Sequence, residues 1–253
     1  MMGAPRETTM PQAIYDIYCG PAPDLASLPW RWNLDPLLLA ALAVLALALF
    51  RNGGERVSAA LGLTVLVVAF VSPLCALASA LFSARVFHHV LLVAVAAPFL
   101  ALALGRAPWL ARAPQFGFAA HTLLFWLWHS PAAYGFALSS HTAYWLMQLS
   151  LLGSAVWLWA AALNPRTPVG SACALLFGSV LQMGMLAALL TFSRAPLYDA
   201  HFATTAAFGL TPLEDQQLAG VLMWVPAAGP YLLAMLWRIR AVLSERSPDR
   251  RAP

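Results

Sequence analysis

Seven stretches of the chain are almost wholly apolar, and short polar stretches separate them. They run over residues 36–50, 57–82, 86–105, 114–138, 142–163, 169–192 and 213–243. A helix that crosses the ~30 Å hydrocarbon core of a bilayer needs about 20 mostly apolar residues. The first run is short, but it extends back through Trp30 and Trp32, which suit the membrane interface. Lipid cannot satisfy open backbone groups, so each run is expected to span as a helix. The pattern predicts an all-α integral membrane protein, a bundle of about seven transmembrane helices. One domain is expected over residues 36–243, between an N-terminal segment, 1–35, and an arginine-rich tail, 244–253. No internal repeat of fixed period is present.

The polar positions set the direction of the bundle. All 14 basic residues are arginine, and they sit singly between apolar runs rather than in a stripe interleaved with aromatics. With the C-terminus inside the cell, the inner side carries Arg51, Arg56, Arg106, Arg112, Arg166, Arg238, Arg240, Arg246, Arg250 and Arg251. The outer side carries only Arg6, Arg31, Arg85 and Arg194. The bias predicts an outside N-terminus and an inside C-terminus, in a multi-pass protein of the cell inner membrane. The first 35 residues carry Glu7, Asp16, Asp24 and Asp35 and lack an early apolar core, so they do not read as a secretory signal. Cleavage of the run 36–50 is the alternative.

Composition then removes whole classes of function. Charged residues make up 9% of the chain, against about 25% in a soluble domain. The net charge of +4 therefore points to the lipid bilayer and not to nucleic acid. Three cysteines, Cys19, Cys75 and Cys173, lie in three different segments. The odd count and wide spacing predict no disulfide framework, and no CxxC pair suggests a zinc or iron–sulfur site. No serine–histidine–acid set and no phosphate loop stands out, so the expectation is a non-enzymatic protein.

Ionisable groups inside spans are costly, so each is a candidate functional group. His88 and His89 open the third run, with Arg85 one turn before His89 on the same face. Neighbours on a helix point about 100° apart. One of the two histidines is therefore expected to face the bundle, the other a different neighbour, headgroups or water. His129 lies in "LWHSPAAY", where Pro131 frees backbone near Leu127 that the ring could repair. His121 is eight residues earlier, too far down the helix to share an ion with His129. His141 reads as a solvated turn residue, and His201 as a lone loop histidine.

Cys75, Met147, Gln148, Met183 and Met185 fall in the outer halves of their runs. Asp215, Gln216 and Gln217 open the last run, with Met223 deeper along it. Soft sulfur and imidazole donors near one face suit copper, Cu(I) above all. Thr211, Pro212 and Glu214 have capping-box spacing, which accounts for Glu214 structurally. Gln216, Gly220 and Met223 share a helix face, and Ala219 and Gly220 allow a close neighbour. That stripe reads either as packing or as a substrate or metal path. The methionines and the ten tryptophans read otherwise as core filler and belt residues.

The strings "YCGPAP", "RWNLDP", "HHVLLVAVAAPFLALALG", "LWHSPAAY" and "DQQLAGVLMWVP" resemble the CtaG family of multi-span cytochrome c oxidase assembly factors, in its proteobacterial branch. The resemblance covers roughly residues 18–237. It implies an integral membrane protein that matures a haem–copper oxidase, with nascent oxidase subunits as partners and copper or haem as the group involved. The family pattern in the third span carries a histidine, then Gln-His, where this chain has Arg85, His88 and His89. An acidic–histidine pair of many relatives is replaced by Met147 and Gln148. An all-histidine site is therefore not expected; a Met/His/Cys arrangement or a structural role is. The candidate metal ligands are His88, His89, His129, Cys75 and Met223, with Arg85, Gln148, Asp215 and Gln216 as further polar groups. The alternatives are a membrane cytochrome holding haem between His89 and His129, and a small copper transporter. The transporter reading lacks paired intramembrane carboxylates and an inverted repeat.

Overall fold

Proline positions decide how the apolar runs become helices. The computed structural model describes residues 17–51, 54–104 and 113–245, and every regular element among them is helical. The helices are α1 (Pro36–Arg51), α2 (Arg56–Phe70), α3 (Leu74–Ala80), α4 (Phe82–Val90), α5 (Ala97–Ala103), α6 (Pro114–Trp128), α7 (Pro131–Leu138), α8 (His141–Leu163), α9 (Val169–Phe192), α10 (Pro212–Trp224) and α11 (Ala228–Glu245). A π-helical segment, Leu91–Ala96, joins α4 to α5. By length and apolarity four helices can cross a bilayer: Phe82–Ala103, His141–Leu163, Val169–Phe192 and Pro212–Ser244. The pair α2 and α3 makes a fifth if its 44° bend lies within one span, and α1 is apolar but shorter.

The expected unbroken helices are thus interrupted in three places. The run 57–82 bends at Val71–Pro73, so Cys75 lies in α3, past the bend. The run 114–138 stops at His129 and Ser130 and restarts on Pro131. The last run loosens between Trp224 and Ala228, around Pro226. Each proline lacks an N–H and clashes with the carbonyl four residues earlier.

Pro98 acts differently, because the chain absorbs it without a break. In the π segment the Ala97 N–H bonds Leu92 O, five residues back. The same register would send the next N–H to Val93 O, but residue 98 is proline and has none. The Trp159 indole N–H on α8 fills that position, donating to Val93 O at 2.7 Å. The π segment therefore stays satisfied and runs through the centre of the bundle.

Small residues let the helices approach. A Cβ added at Gly220 on α10 would stand 2.2 Å from Thr191 Oγ1 and 2.7 Å from Ala187 O on α9. The close contact expected at Ala219 and Gly220 is present. Outward positions such as Leu37, Phe116, Leu123, Phe192, Leu233 and Trp237 are large, apolar and exposed. Such a surface is stable facing lipid and not water.

At one end of the bundle, residues 17–35 fold back over α2, α3 and α8. The Asn33 N–H bonds Val71 O at 2.9 Å, and its side-chain amide bonds Phe70 O at 3.1 Å. Cys19 is disulfide-bonded to Cys75, with Cα atoms 5.4 Å apart. This corrects the expectation of no disulfide: folding brings together two cysteines 56 residues apart. Of the arginines used for orientation, Arg85 and Arg238 are interior groups, and Arg238 donates to Thr167 O at 2.5 Å. Arg6, Arg106, Arg112, Arg246, Arg250 and Arg251, with segments 1–16 and 246–253, lie outside the described residues.

Candidate functional site

His88 and His89 do not open their helix. They lie about two turns inside Phe82–Ala103, because α4 starts earlier than the apolar run. Asp215 on α10 is the reason for that start. Its carboxylate accepts from the Phe82 N–H at 2.7 Å, the Ser83 N–H at 3.1 Å and the Ser83 hydroxyl. Asp215 thus caps a neighbouring helix. Thr211 and Glu214 form the expected capping box on α10.

Both histidines are buried, at 0% exposure for His88 and 4% for His89. Neither reaches water or headgroups, which corrects part of the expectation. They do meet different neighbours. His88 stands edge-on to Phe70 of α2 at 4.9 Å between ring centroids. His89 turns to His129 at 5.4 Å and 83°. Both ring nitrogens of His89 are buried and without a hydrogen-bond partner.

His129 occupies the break that Pro131 makes. Its Nδ1 is 2.7 Å from Phe125 O, so Nδ1 carries the proton and donates to that carbonyl. Leu127 O, the carbonyl expected to need the ring, is instead satisfied by Ser130, through its N–H at 3.1 Å and its hydroxyl at 2.7 Å. The Tyr198 hydroxyl donates to His129 O at 2.6 Å and fixes the backbone of the break. His129 Nε2 is left as a buried lone pair with no partner.

These two rings open onto a cavity of about 10 Å³ lined by Val86, His89, Val90, Val93, Phe125, His129, Leu151, Met183 and Met223. Two imidazoles and two thioethers therefore meet at one internal point. Met223 was expected there. Met183 was noticed in the sequence but not assigned. On α9 the residues Ala172, Leu176, Ser179, Met183, Leu186 and Leu190 are buried. Their alternating spacing of four and three is the signal that separates Met183, 4% exposed, from Met185, 57% exposed.

The other candidates go elsewhere. Cys75 is held in its disulfide. Gln216 ties α10 to the chain after α9, accepting from the Leu197 N–H at 2.7 Å and donating to Ala195 O at 3.4 Å. Gln217 does the same with Ser193 O at 3.3 Å. The two glutamines thus join α10 to the chain after α9, while Met223, on the same face as Gln216, lines the cavity. Gln148 is buried and makes no hydrogen bond, at the edge of an apolar groove with Phe70 and Trp145. Arg85 is fully buried; its Nη1 donates to the Tyr144 hydroxyl at 3.4 Å, and Nε and Nη2 have no partner. His121 pairs with Ser154 at 3.0 Å, away from the cavity. His141 is exposed, as expected.

His201 is the residue sequence reasoning undervalued. It is buried beside Phe82, and its Nε2 is 2.7 Å from the Tyr134 hydroxyl. Burial pushes its imidazole down to about 3. Phe82 also stacks on Tyr198 at 3.7 Å. These aromatics close the end of the bundle above the cavity. No local spacing announces the pairing, because His201 and Tyr134 are 67 residues apart.

Among the described residues, no three side chains of histidine, cysteine, aspartate or glutamate gather as a metal site. A metal here would need the thioethers. The donor set passes that test: sulfur and neutral imidazole in a dry, apolar chamber match soft Cu(I).

The fold defines an α-helical membrane protein, and in its interior two histidines and two methionines line one small cavity. Residues 41–245 match the family model of the cytochrome c oxidase caa3 assembly factor, Caa3_CtaG. The match covers most of the chain, which belongs to that family and is thereby a cytochrome c oxidase assembly factor. No curated protein and no solved structure matches the chain.

Proposed function

We propose that this assembly factor handles copper as Cu(I) at the His89, His129, Met183 and Met223 cavity. The carrying observation is that His89 and His129 present unpartnered buried nitrogens to a 10 Å³ space shared with two methionine side chains. Unpaired buried nitrogen is costly, and a ligand removes that cost. His129 donates Nδ1–H to a backbone carbonyl, the arrangement that leaves Nε2 as a ligand in metal sites. The volume suits one ion and is far too small for a porphyrin, so copper is preferred over haem. In this reading the four side chains hold the ion and shield it from water, and copper is cargo for the nascent oxidase subunits. In this reading the copper cavity binds and releases the ion and carries out no bond chemistry.

The chain crosses the inner membrane seven times in this proposal, with α1, the α2–α3 pair and the α6–α7 pair each completing a crossing. The N-terminus is outside. The Cys19–Cys75 disulfide supports that side, because disulfides persist in oxidising compartments. The metal site then lies nearer the periplasmic face.

The test is copper content and the visible spectrum of detergent-purified protein, beside the His89→Ala/His129→Ala double variant. Stoichiometric copper lost in the variant, with loss of oxidase maturation in cells, is the expected result. A Soret band lost in the variant would replace copper by haem. A folded sample with neither would leave a scaffold that contacts oxidase subunits only.

A further inference from the structure

A guanidinium buried in a membrane protein is costly unless it is paired, and no carboxylate among the described residues pairs with Arg85. It is fully buried, makes no ion pair among the described residues, and leaves Nε and Nη2 without a partner. Its Nη1 donates to the Tyr144 hydroxyl at 3.4 Å, and its charge lies 5.2 Å over the same ring. The other side of that hydroxyl is a sulfur. Cys19 Sγ is 3.6 Å from Tyr144 Oη. Its disulfide partner, Cys75 Sγ, takes a contact from the Asn33 amide at 3.9 Å. Both sulfurs therefore have a proton donor, and a buried cation stands one phenol away.

We propose that Cys19–Cys75 is a thiol–disulfide exchange site for a dithiol substrate, with Arg85 and Tyr144 stabilising the reduced form. Cys75 is fully buried and Cys19 partly exposed, so an incoming thiolate meets Cys19 first. Attack on Cys19 Sγ forms a mixed disulfide and breaks the bond to Cys75. Cys75 leaves as a thiolate beside the Asn33 amide and takes a proton. The substrate's second thiol loses its proton and attacks its own sulfur in the mixed disulfide. Cys19 leaves as a thiolate against Tyr144 and supplies the negative charge that Arg85 lacks. Two electrons pass from the substrate dithiol to the cysteine pair, and the substrate becomes a disulfide. A purely structural staple would gain nothing from an unpaired cation at this position. Thiolates beside arginine are favoured in reactive cysteine pairs.

The proposal is independent of the copper reading, and chelator-treated protein keeps the two tests apart. Full-length protein in detergent, with Cys173→Ser to silence the remaining thiol, is equilibrated in glutathione buffers of graded ratio. Free thiols are then counted by maleimide mass shift. The pair should be half reduced within the glutathione range. Arg85→Met should move the equilibrium at least tenfold toward the disulfide, about 30 mV for a two-electron couple. Arg85→Lys should restore part of it. If Arg85→Met does not fold, Tyr144→Phe should give a shift in the same direction. A disulfide that resists glutathione and dithiothreitol in the folded protein overturns the proposal. So does an equilibrium that ignores these variants.

Discussion

One carboxylate on α10 holds the start of α4, two turns before His89. Asp215 accepts from the Phe82 N–H at 2.7 Å, the Ser83 N–H at 3.1 Å and the Ser83 hydroxyl, at a site 1% exposed. Asp215→Asn keeps the shape but replaces one acceptor oxygen by an NH2 group. The amide then faces an N–H that it cannot bond, or turns and loses both bonds to Ser83. A hydrogen bond to a charged group contributes about 1.5–3 kcal/mol, and an unsatisfied buried donor costs about 1–3 kcal/mol. These overlap, so the expected loss is about 2–4 kcal/mol. At roughly 2–4 °C per kcal/mol for a chain of this size, Tm should fall by about 5–15 °C. The assay is thermal unfolding in detergent followed by near-UV circular dichroism. Glu214→Gln, one residue away but exposed, is the control and should lower Tm less than Asp215→Asn does. An Asp215→Asn protein that melts within about 2 °C of the unmodified chain would refute the cap.

Three further outcomes are expected. Met183→Leu should lower bound copper in the purified protein, whereas Met185→Leu, on the exposed face of the same helix, should leave it unchanged; equal effects would remove Met183 from the site. Trp159→Phe strands Val93 O in the π segment and should cost about 1–3 kcal/mol in the same melting assay, while an unchanged Tm would mean the carbonyl finds another donor. The Tyr18 hydroxyl beside Asp35 holds that carboxyl below the usual carboxylate range. A depressed folded pKa gives stability that is full above the unfolded value, about 3.9, and is lost as pH falls through the folded one. The stability advantage over Tyr18→Phe should therefore be constant near neutrality and shrink below about pH 4. An advantage that persists unchanged into acid would discount the charged hydrogen bond.

Much of the lining of the proposed copper cavity was legible before folding was considered. His89, His129 and Met223 were singled out because intramembrane polar and soft groups are costly or chemically distinctive, and all three line one space. Met183 needed the helix phase, which only the burial pattern of α9 separates from Met185. Cys75 was misassigned, because its partner lies in a segment that no local pattern connects to it. Asp215 and Gln216 were right as polar groups needing an account, yet their partners sit on α4 and after α9. Side-chain chemistry names what a residue can do, but long-range pairing decides what it does.

Local rules acting within a few residues determined the helical class, the membrane setting, the capping box at Thr211 and the helix break at Pro131. Apolar runs must pair their own backbone in lipid, and proline removes an N–H wherever it falls. Tertiary structure alone decided which carbonyl His129 satisfies and that Trp159 completes the π register at Val93. It also decided that Arg85 and His201 are buried and that Cys19 meets Cys75. Each of these depends on two elements arriving at one point, and the free energy of that meeting belongs to neither segment by itself.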